Sequence, residues 1–221
     1  MNQLFYPLIG VFVYLTILVA IAEGLSRLVT DDPELTRKVV HIGSGNVILL
    51  AWLFGIEQSV IVSAAVIAGI IALVSYMTPI LPSINSIGRK SLGTFFYAVS
   101  IGVLAGIFWQ NFPQYTTIGI LVMAWGDGMA AIVGQRLGKH KYQILGIEKS
   151  WEGSGAMAIA SFVVTLLVLL GIQGNSTETW LTGLLVAAIA TGLEAFSKFG
   201  LDNLTVPIVS GLICYGCYQM I

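Results

Sequence analysis

The sequence has few charged residues. Asp, Glu, Lys and Arg make up only 10% of its 221 residues, whereas a soluble domain carries about 25%. This scarcity excludes an ordinary water-soluble globule. The 57% of hydrophobic residues excludes a disordered chain, because low hydrophobicity is the signature of disorder. The formal net charge of −1 gives no general attraction to nucleic acid, so we expect no nucleic-acid partner. A polytopic membrane protein is the class that remains.

Metal-binding and redox side chains are also scarce. The chain has only two histidines, His41 and His140, which excludes a His-rich metal site. Its two cysteines, Cys214 and Cys217, form a C-x-x-C pair inside the last apolar stretch. A redox or metal role would need an accessible thiolate environment and more ligands, so we interpret the pair as two small apolar residues in a helix.

Long apolar stretches fill most of the chain. A helix needs about 20 apolar residues to cross a bilayer. Eight stretches approach that length: residues 4–22, 39–54, 59–77, 94–109, 117–133, 155–172, 180–193 and 204–221. The sequence therefore predicts an all-α fold, a polytopic membrane helix bundle of about eight transmembrane helices that forms a single domain over residues 1–221. Asp127 lies between two glycines in the fifth stretch, and a helix break there would make the count seven or nine.

The basic residues occupy alternate loops. They form four groups: Arg27, Arg37 and Lys38; Arg89 and Lys90; Arg136, Lys139, Lys141 and Lys149; and Lys198. By the positive-inside rule, these loops are cytoplasmic and both termini lie on the opposite side of the membrane. Most acidic residues lie near the same face, with Glu57 and Glu178 opposite. This asymmetry predicts a site on the cytoplasmic face that meets a charged, soluble reactant.

The densest polar segment covers residues 125–155. Its glycines permit close backbone approach, and successive backbone N–H groups can hold phosphate oxygens. Lys149 could pair with a phosphate, and Ser150 could donate a hydrogen bond to one. The sixth apolar stretch begins directly after Gly153 and Ser154, and a helix N-terminus is an anion site.

Asp127 is a carboxylate inside an apolar stretch, which marks a functional site by default. It could hold a divalent cation or act as a base, and the sequence leaves both roles open. For Arg136, Lys139 and Lys141, we favour roles in membrane topology and in contacts with lipid head groups.

Two other polar groups flank apolar stretches. Arg37 and Lys38 precede His41 by about one helical turn. The sequence supports two interpretations equally: these side chains contact a phosphate, or they extend to the membrane interface. Asp202 and Asn203 follow Glu194, and carboxylate and amide oxygens suit Mg²⁺. The plainer interpretation of the second group is a polar turn before the last helix.

Five ordered groups of residues resemble the CTP-dependent polyprenol kinase family, which includes phytol, dolichol and CTP-using diacylglycerol kinases. They are Arg37-Lys38-x-x-His41, Arg89-x-Ser91-x-Gly93-Thr94, Gly126-Asp127-Gly128-x-Ala130, Lys149-Ser150-x-Glu152-Gly153-Ser154, and Glu194-x-x-Ser197-x-x-Gly200-x-Asp202-Asn203. The resemblance covers residues 36–208, and the short chain is most similar to the phytol kinases.

The resemblance implies transfer of the γ-phosphate of CTP or UTP to the hydroxyl of an isoprenoid alcohol, with phytol as the first expectation and Mg²⁺ as cofactor. A long alcohol stays in the lipid bilayer, at about 0.8 kcal/mol per buried CH₂, and the nucleotide stays in water. The two substrates can therefore meet only at a membrane face. The absence of a plastid transit peptide favours a bacterial membrane of cyanobacterial type.

The roles that follow for individual residues are expectations. The catalytic candidates are Asp127, Lys149, Arg37 and His41. The nucleotide-binding candidates are Lys38, Arg89, Ser91, Gly126, Gly128, Ser150, Glu152, Gly153 and Ser154. The metal-binding candidates are Asp127, Asp202, Asn203 and Glu194. Two other functions stay open: a CTP-dependent cytidylyltransferase that makes a CDP-lipid, and a small membrane transporter or assembly subunit. The sequence predicts no oligomeric state.

Overall fold

The computed structural model describes residues 2–28, 32–77 and 92–220. Within these ranges the chain forms helices and one two-stranded sheet. In chain order they are α1 Asn2–Leu28, α2 Pro33–Gly45, α3 Val47–Leu53, α4 Gln58–Met77, α5 Gly93–Phe108, α6 Pro113–Leu137, β1 Lys141–Ile144, β2 Ile147–Ser150, α7 Trp151–Gln173, α8 Thr177–Ala195 and α9 Asp202–Gln219. The predicted all-α class is confirmed.

Each predicted apolar stretch falls on helical structure, and the second is divided into α2 and α3 at Asn46. Among the described residues, α1, α4, α6 and α7 are long and apolar enough to cross a membrane. These helices fit a membrane protein, as the composition predicts. The count of eight spans stays a prediction, since the other helices are shorter or less apolar.

The α6 helix forms the centre of the bundle. It packs against α2, α3, α5, α7 and α9, and every residue from Tyr115 to Ala124 is buried. A helix that is apolar on all sides is expected in such a position. The charged and polar C-terminal half of α6 therefore reaches the end of the bundle, and neighbouring helices fix its position.

The helix break considered at Asp127 does not occur, since α6 is continuous from Pro113 to Leu137. The flanking glycines allow close helix packing instead. A Cβ atom on Gly126 would lie 2.5 Å from the sulfur of Met157 in α7. A Cβ atom on Gly128 would lie 2.4 Å from a side-chain carbon of Ile42 in α2. These glycines bring α2 and α7 against the two sides of Asp127.

The sequence did not predict the β1–β2 hairpin that connects α6 to α7. Its strands pair in antiparallel register, with Lys141 opposite Ser150. The two turn residues, Leu145 and Gly146, have φ angles of 53° and 78°. Both central residues of a type I′ turn require positive φ, and leucine is an unusual choice for the first. The hairpin matters because β2 carries Lys149 and Ser150 to the start of α7.

Candidate active site

A large cavity opens at the end of the bundle where the polar segments meet. Its volume is about 1290 Å³, whereas small-molecule sites typically have volumes of about 300–1,000 Å³. The cavity is lined by parts of α1, α2, α6, the hairpin, α7, α8, α9 and the turn before α9. It brings together these predicted site residues: Arg37, Lys38, Asp127, Lys149, Ser150, Gly153, Ser154, Glu194, Asp202 and Asn203.

Asp127 and Lys38 form a buried ion pair at the cavity wall. The Lys38 Nζ atom lies 2.5 Å from the Asp127 Oδ2 atom, and Lys38 is only 4% exposed. The Nε2 atom of His41 lies 3.5 Å from the same carboxylate oxygen. Lys38 and His41 are three residues apart on α2 and therefore share a helix face. This arrangement places two nitrogen groups around one carboxylate, with a full positive charge from Lys38.

Lys149 and Glu194 form a second ion pair, which connects β2 to the end of α8. The Lys149 ammonium also donates a hydrogen bond to the backbone carbonyl of Glu194, at 2.5 Å. Glu194 is buried, and its carboxylate faces Lys149. The predicted phosphate-binding lysine is therefore held in place at the cavity by one of the predicted metal-binding residues.

The first turn of α7 is organised by its own side chains. Ser150 caps the helix, because its Oγ atom accepts a hydrogen bond from the backbone N–H of Gly153, at 3.1 Å. Gly153 also packs tightly on α6, since a Cβ atom there would lie 2.9 Å from the carbonyl oxygen of Ala130. The Gly153 N–H thus serves the helix cap, and among the described residues the Ser150 hydroxyl donates no hydrogen bond to a side chain or a carbonyl.

Glu152 and Ser154 tie the hairpin to α7. The Glu152 carboxylate accepts a hydrogen bond from the backbone N–H of His140, at 3.2 Å, and lies 2.7 Å from the Nδ1 atom of the His140 ring. The hydroxyls of Ser154 and Tyr142 are 2.5 Å apart. Glu152 does not line the cavity. Glu152 therefore holds the hairpin against α7.

The turn between α8 and α9 presents Asp202 and Asn203 to the cavity. Phe199 and Gly200 reverse the chain there with positive φ angles of 56° and 82°. The Ser197 Oγ atom accepts a hydrogen bond from the Asp202 N–H, at 2.6 Å. Among the described residues, Asp202 forms no ion pair.

The donor groups of the cavity fit a magnesium ion that is carried on phosphate. In the described part of the chain, no three His, Cys, Asp or Glu side chains gather closely enough to hold a metal by themselves. Mg²⁺ does not require such a group, because it is usually held by one or two carboxylates, waters and substrate phosphates. The Asp202 carboxylate and the Asn203 amide supply oxygen donors of this kind at the cavity wall.

Arg37 lines the cavity and pairs with Glu34, with 2.9 Å between Nε and Oε2. The remaining predicted residues lie elsewhere. Gly126 and Gly128 lie at the helix contacts described above and outside the cavity lining. Arg89 and Ser91 lie outside the described residues.

Tyr97 is a polar residue of this region that the sequence did not single out. Its ring lies beside that of His41, with 5.4 Å between the ring centroids. In the sequence, Tyr97 stands in an apolar stretch next to Phe95 and Phe96. A tyrosine in that setting cannot be told from an ordinary core or interface aromatic residue, so no sequence signal pointed to it.

Comparison with known proteins decides the family. A phytol kinase from Synechocystis sp. is 51% identical over 203 residues, which cover 91% of this chain and 87% of that protein. The chain belongs to the phytol kinase family. Two plant members of the phytol kinase family are also similar. Phytol kinase 1, chloroplastic, from Arabidopsis thaliana is 30% identical over 213 residues, which cover 87% of this chain and 69% of the relative. Probable phytol kinase 2, chloroplastic, from Oryza sativa subsp. japonica is 33% identical over 210 residues, with coverages of 86% and 68%.

This membership of the phytol kinase family confirms the resemblance that the five residue groups indicated. It favours a kinase over the cytidylyltransferase and the transporter that the sequence left open. No protein-family model matches the chain, and no solved structure matches it significantly.

Proposed function

We propose that this member of the phytol kinase family transfers the γ-phosphate of CTP or UTP to the hydroxyl of phytol, with Mg²⁺ as cofactor. The observation that carries the proposal is one cavity at the end of the bundle, in which charged side chains of α2, α6, the hairpin, α8 and the turn before α9 meet beside apolar side chains of α1. The relatives that are named phytol kinases support the acceptor and the type of reaction.

The cavity has a polar side and an apolar side, as two such different substrates require. Val19 and Ala22 of α1 and Val40 of α2 line its apolar part. α1 is largely exposed along its apolar length, which supports a position against lipid in this proposal. A long isoprenoid chain can therefore stay among apolar groups while its hydroxyl reaches the charged end of the bundle.

The polar side of the cavity suits the phosphates of a nucleotide. Arg37, Lys38, Lys149 and Lys198 all line it, and Ser150 offers a hydroxyl proton. Phosphoryl transfer is catalysed mainly by positioning and by charge stabilisation. Fixed cations around the transferred group supply that stabilisation without reorganisation during the reaction.

Asp202 and Asn203 would hold the magnesium ion in this proposal. When bound, Mg²⁺ neutralises negative charge on the β- and γ-phosphates. Asp202 has no ion pair among the described residues, so its carboxylate is available for such a role. Glu194 contributes by holding Lys149 in place, since its carboxylate is already engaged.

Asp127 acts as the base that orients the phytol hydroxyl and accepts its proton. The Asp127 carboxylate pairs with the ammonium of Lys38, and it is the ionised form of a carboxyl group that can accept a proton. A base must also lie within hydrogen-bond reach of the hydroxyl. The position of Asp127 at the cavity wall meets that condition for an alcohol that enters from the apolar side.

The cavity faces the cytoplasm in this proposal, and both termini lie on the other side of a bacterial membrane of cyanobacterial type. The positive-inside rule supports this orientation, and the relative from Synechocystis sp. supports the type of membrane. Two residues mark the two ends of the bundle. Leu145 lies at the tip of the hairpin, and Glu57, which directly precedes α4, lies in space near the start of α6. Both residues are exposed.

Single cysteines at these positions test the orientation in bacterial spheroplasts. In a background with Cys214→Ala and Cys217→Ala, we expect an impermeant maleimide to label Glu57→Cys in intact spheroplasts. Leu145→Cys should be labelled only after permeabilisation, because the membrane separates the hairpin from the reagent. The opposite labelling pattern would show that the cavity faces outwards.

An activity assay with purified protein tests the function itself. In detergent with Mg²⁺ and CTP or UTP, we expect phytol-dependent formation of phytyl monophosphate and the nucleoside diphosphate. Both products should appear in equal amounts, because a γ-phosphate is transferred. When a phosphorylated lipid is supplied in place of phytol, release of pyrophosphate with formation of a CDP-lipid would replace the proposal by the cytidylyltransferase. The absence of phytol-dependent turnover with every nucleotide would overturn the proposal.

A further inference from the structure

Two buried polar atoms near Asp127 have no hydrogen-bond partner in the described part of the chain. They are the Nε2 atom of His41 and the phenolic oxygen of Tyr97. The His41 nitrogen is 3.5 Å from Asp127 Oδ2, but the two are not aligned as a hydrogen bond. Buried polar atoms are nearly always satisfied, so each exception needs an explanation, of which a catalytic role and a bound group are two.

The two atoms lie at the contact between α2 and α6. A Cβ atom on Gly45 would lie 3.1 Å from the Tyr97 phenolic oxygen and 2.3 Å from the Cβ atom of Ala124. Gly45 is one turn after His41 on α2, and Ala124 is one turn before Asp127 on α6. The Tyr97 side chain, on α5, therefore reaches into the contact between α2 and α6 that also contains His41 and Asp127.

We propose that the hydroxyl of the phytol acceptor binds between His41, Tyr97 and Asp127. This inference rests on the proposed function and names the residues that recognise the acceptor. A hydroxyl has one donor proton and two acceptor lone pairs. It can donate to the Asp127 carboxylate and accept from the Tyr97 O–H and, in the tautomer of His41 that carries its proton on Nε2, from the His41 ring. One small group thus satisfies all the free positions.

Other occupants fit these three side chains less well. A phosphate would meet the negative charge of Asp127, and an alkyl group would leave the nitrogen and the phenol unsatisfied. Asp127 lines the large cavity, whereas His41 and Tyr97 lie outside its lining. The hydroxyl therefore enters from the cavity at the Asp127 carboxylate, where it meets the γ-phosphate, and its oxygen faces His41 and Tyr97.

The reaction balances around this subsite. The oxygen of the phytol hydroxyl forms a bond to the γ-phosphorus, and its proton passes to the Asp127 carboxylate. The bond between the γ-phosphorus and the β–γ bridging oxygen breaks, and its electron pair leaves with the nucleoside diphosphate. Tyr97 and His41 hold the attacking oxygen in place and exchange no proton in the net reaction.

The Tyr97→Phe variant tests the subsite, because it removes only the phenolic oxygen. We expect kcat/KM for phytol to fall about tenfold, which is the upper range for loss of one neutral hydrogen bond. The KM for the nucleotide should not change, nor should any slow hydrolysis of the nucleotide without phytol. Tyr14→Phe is the matched control: its hydroxyl donates to the Gly43 carbonyl at 2.8 Å on the other side of α2, so kcat/KM for phytol should be retained.

A ligand comparison on the unmodified protein gives an independent result if the variant does not fold. Phytol should protect the protein from thermal unfolding at a concentration at least tenfold lower than phytane, which has the same carbon chain without the hydroxyl. Equal protection by both ligands would overturn the subsite. So would wild-type phytol kinetics in a folded Tyr97→Phe variant. If the unmodified protein does not phosphorylate phytol at all, the proposed function fails instead, which separates the two failures.

Discussion

Asp127→Asn is expected to lower kcat for phytol phosphorylation by about 10²- to 10⁴-fold, the usual contribution of a general base. Asparagine has the same shape as aspartate, but its amide cannot take the proton of the phytol hydroxyl. The KM values for both substrates should change much less, because the side chain still fills the space beside Lys38 and His41. Steady-state kinetics on purified protein in detergent measures both parameters.

The same substitution has a cost in stability that must be separated from the effect on catalysis. It leaves the buried Lys38 without its partner, and removal of one member of a buried ion pair costs about 3–5 kcal/mol. The double variant Lys38→Met, Asp127→Leu removes both charges. It should recover much of the thermal stability, because apolar replacement of a buried pair is often neutral, but it should recover no activity.

Glu57→Gln is the control for loss of a carboxylate, because Glu57 lies at the opposite end of the bundle, beside the start of α6. We expect wild-type kcat from this variant. A folded Asp127→Asn protein with more than a tenth of the wild-type kcat would refute the role of Asp127 as the base.

Lys149→Ala is the second large effect that we expect, and it should act on the nucleotide. A hydrogen bond to a charged group is worth about 1.5–3 kcal/mol, which corresponds to a decrease of about 10- to 100-fold in kcat/KM for CTP. The KM for phytol should change little, because β2 carries Lys149 to the polar side of the cavity.

The pairing of Lys149 with Glu194 gives this prediction an internal check. Glu194→Gln keeps an oxygen that can accept a hydrogen bond from Lys149, but it removes the negative charge. The carboxylate of Glu194 then no longer offsets the positive charge of Lys149, which attracts the phosphates more strongly. The KM for CTP should therefore stay the same or fall. Lys149→Ala should raise that KM.

Lys139→Ala controls for loss of a lysine in the same region, because Lys139 is exposed and lies outside the cavity lining. It should leave kcat/KM for CTP unchanged. Equal losses in Lys139→Ala and Lys149→Ala would show that only the general positive charge of the loop matters, and the specific phosphate contact would be refuted.

The helices could be predicted from the sequence because their signal is local. A long apolar stretch such as residues 59–77 can satisfy its backbone in a membrane only as a helix, whatever its neighbours are. The break considered at Asp127 was wrong for the opposite reason. Whether a glycine bends a helix or admits a neighbour depends on the packing partner, here Met157 beside Gly126, and no single segment contains that information.

The candidate residues of the site could be named from the sequence, but their partners could not. Lys38 and Asp127 are 89 residues apart, and their contact depends on how α2 packs against α6. The β1–β2 hairpin was missed because its turn uses Leu145 and Gly146 instead of the Asn-Gly or Asp-Gly pairs that identify such turns. Its tie to α7 through Glu152 therefore also appeared only in the structure.

The separation between Lys38 and Asp127 also bears on how the protein is made. At about 5–20 residues per second, a ribosome needs about 4–18 s to synthesise the 89 residues from Val39 to Asp127. During that interval, the ammonium of Lys38 lacks the carboxylate that it faces in the finished bundle. The Lys38 side chain is therefore expected to stay in contact with water at the membrane surface until α6 emerges, and only then to become buried against Asp127.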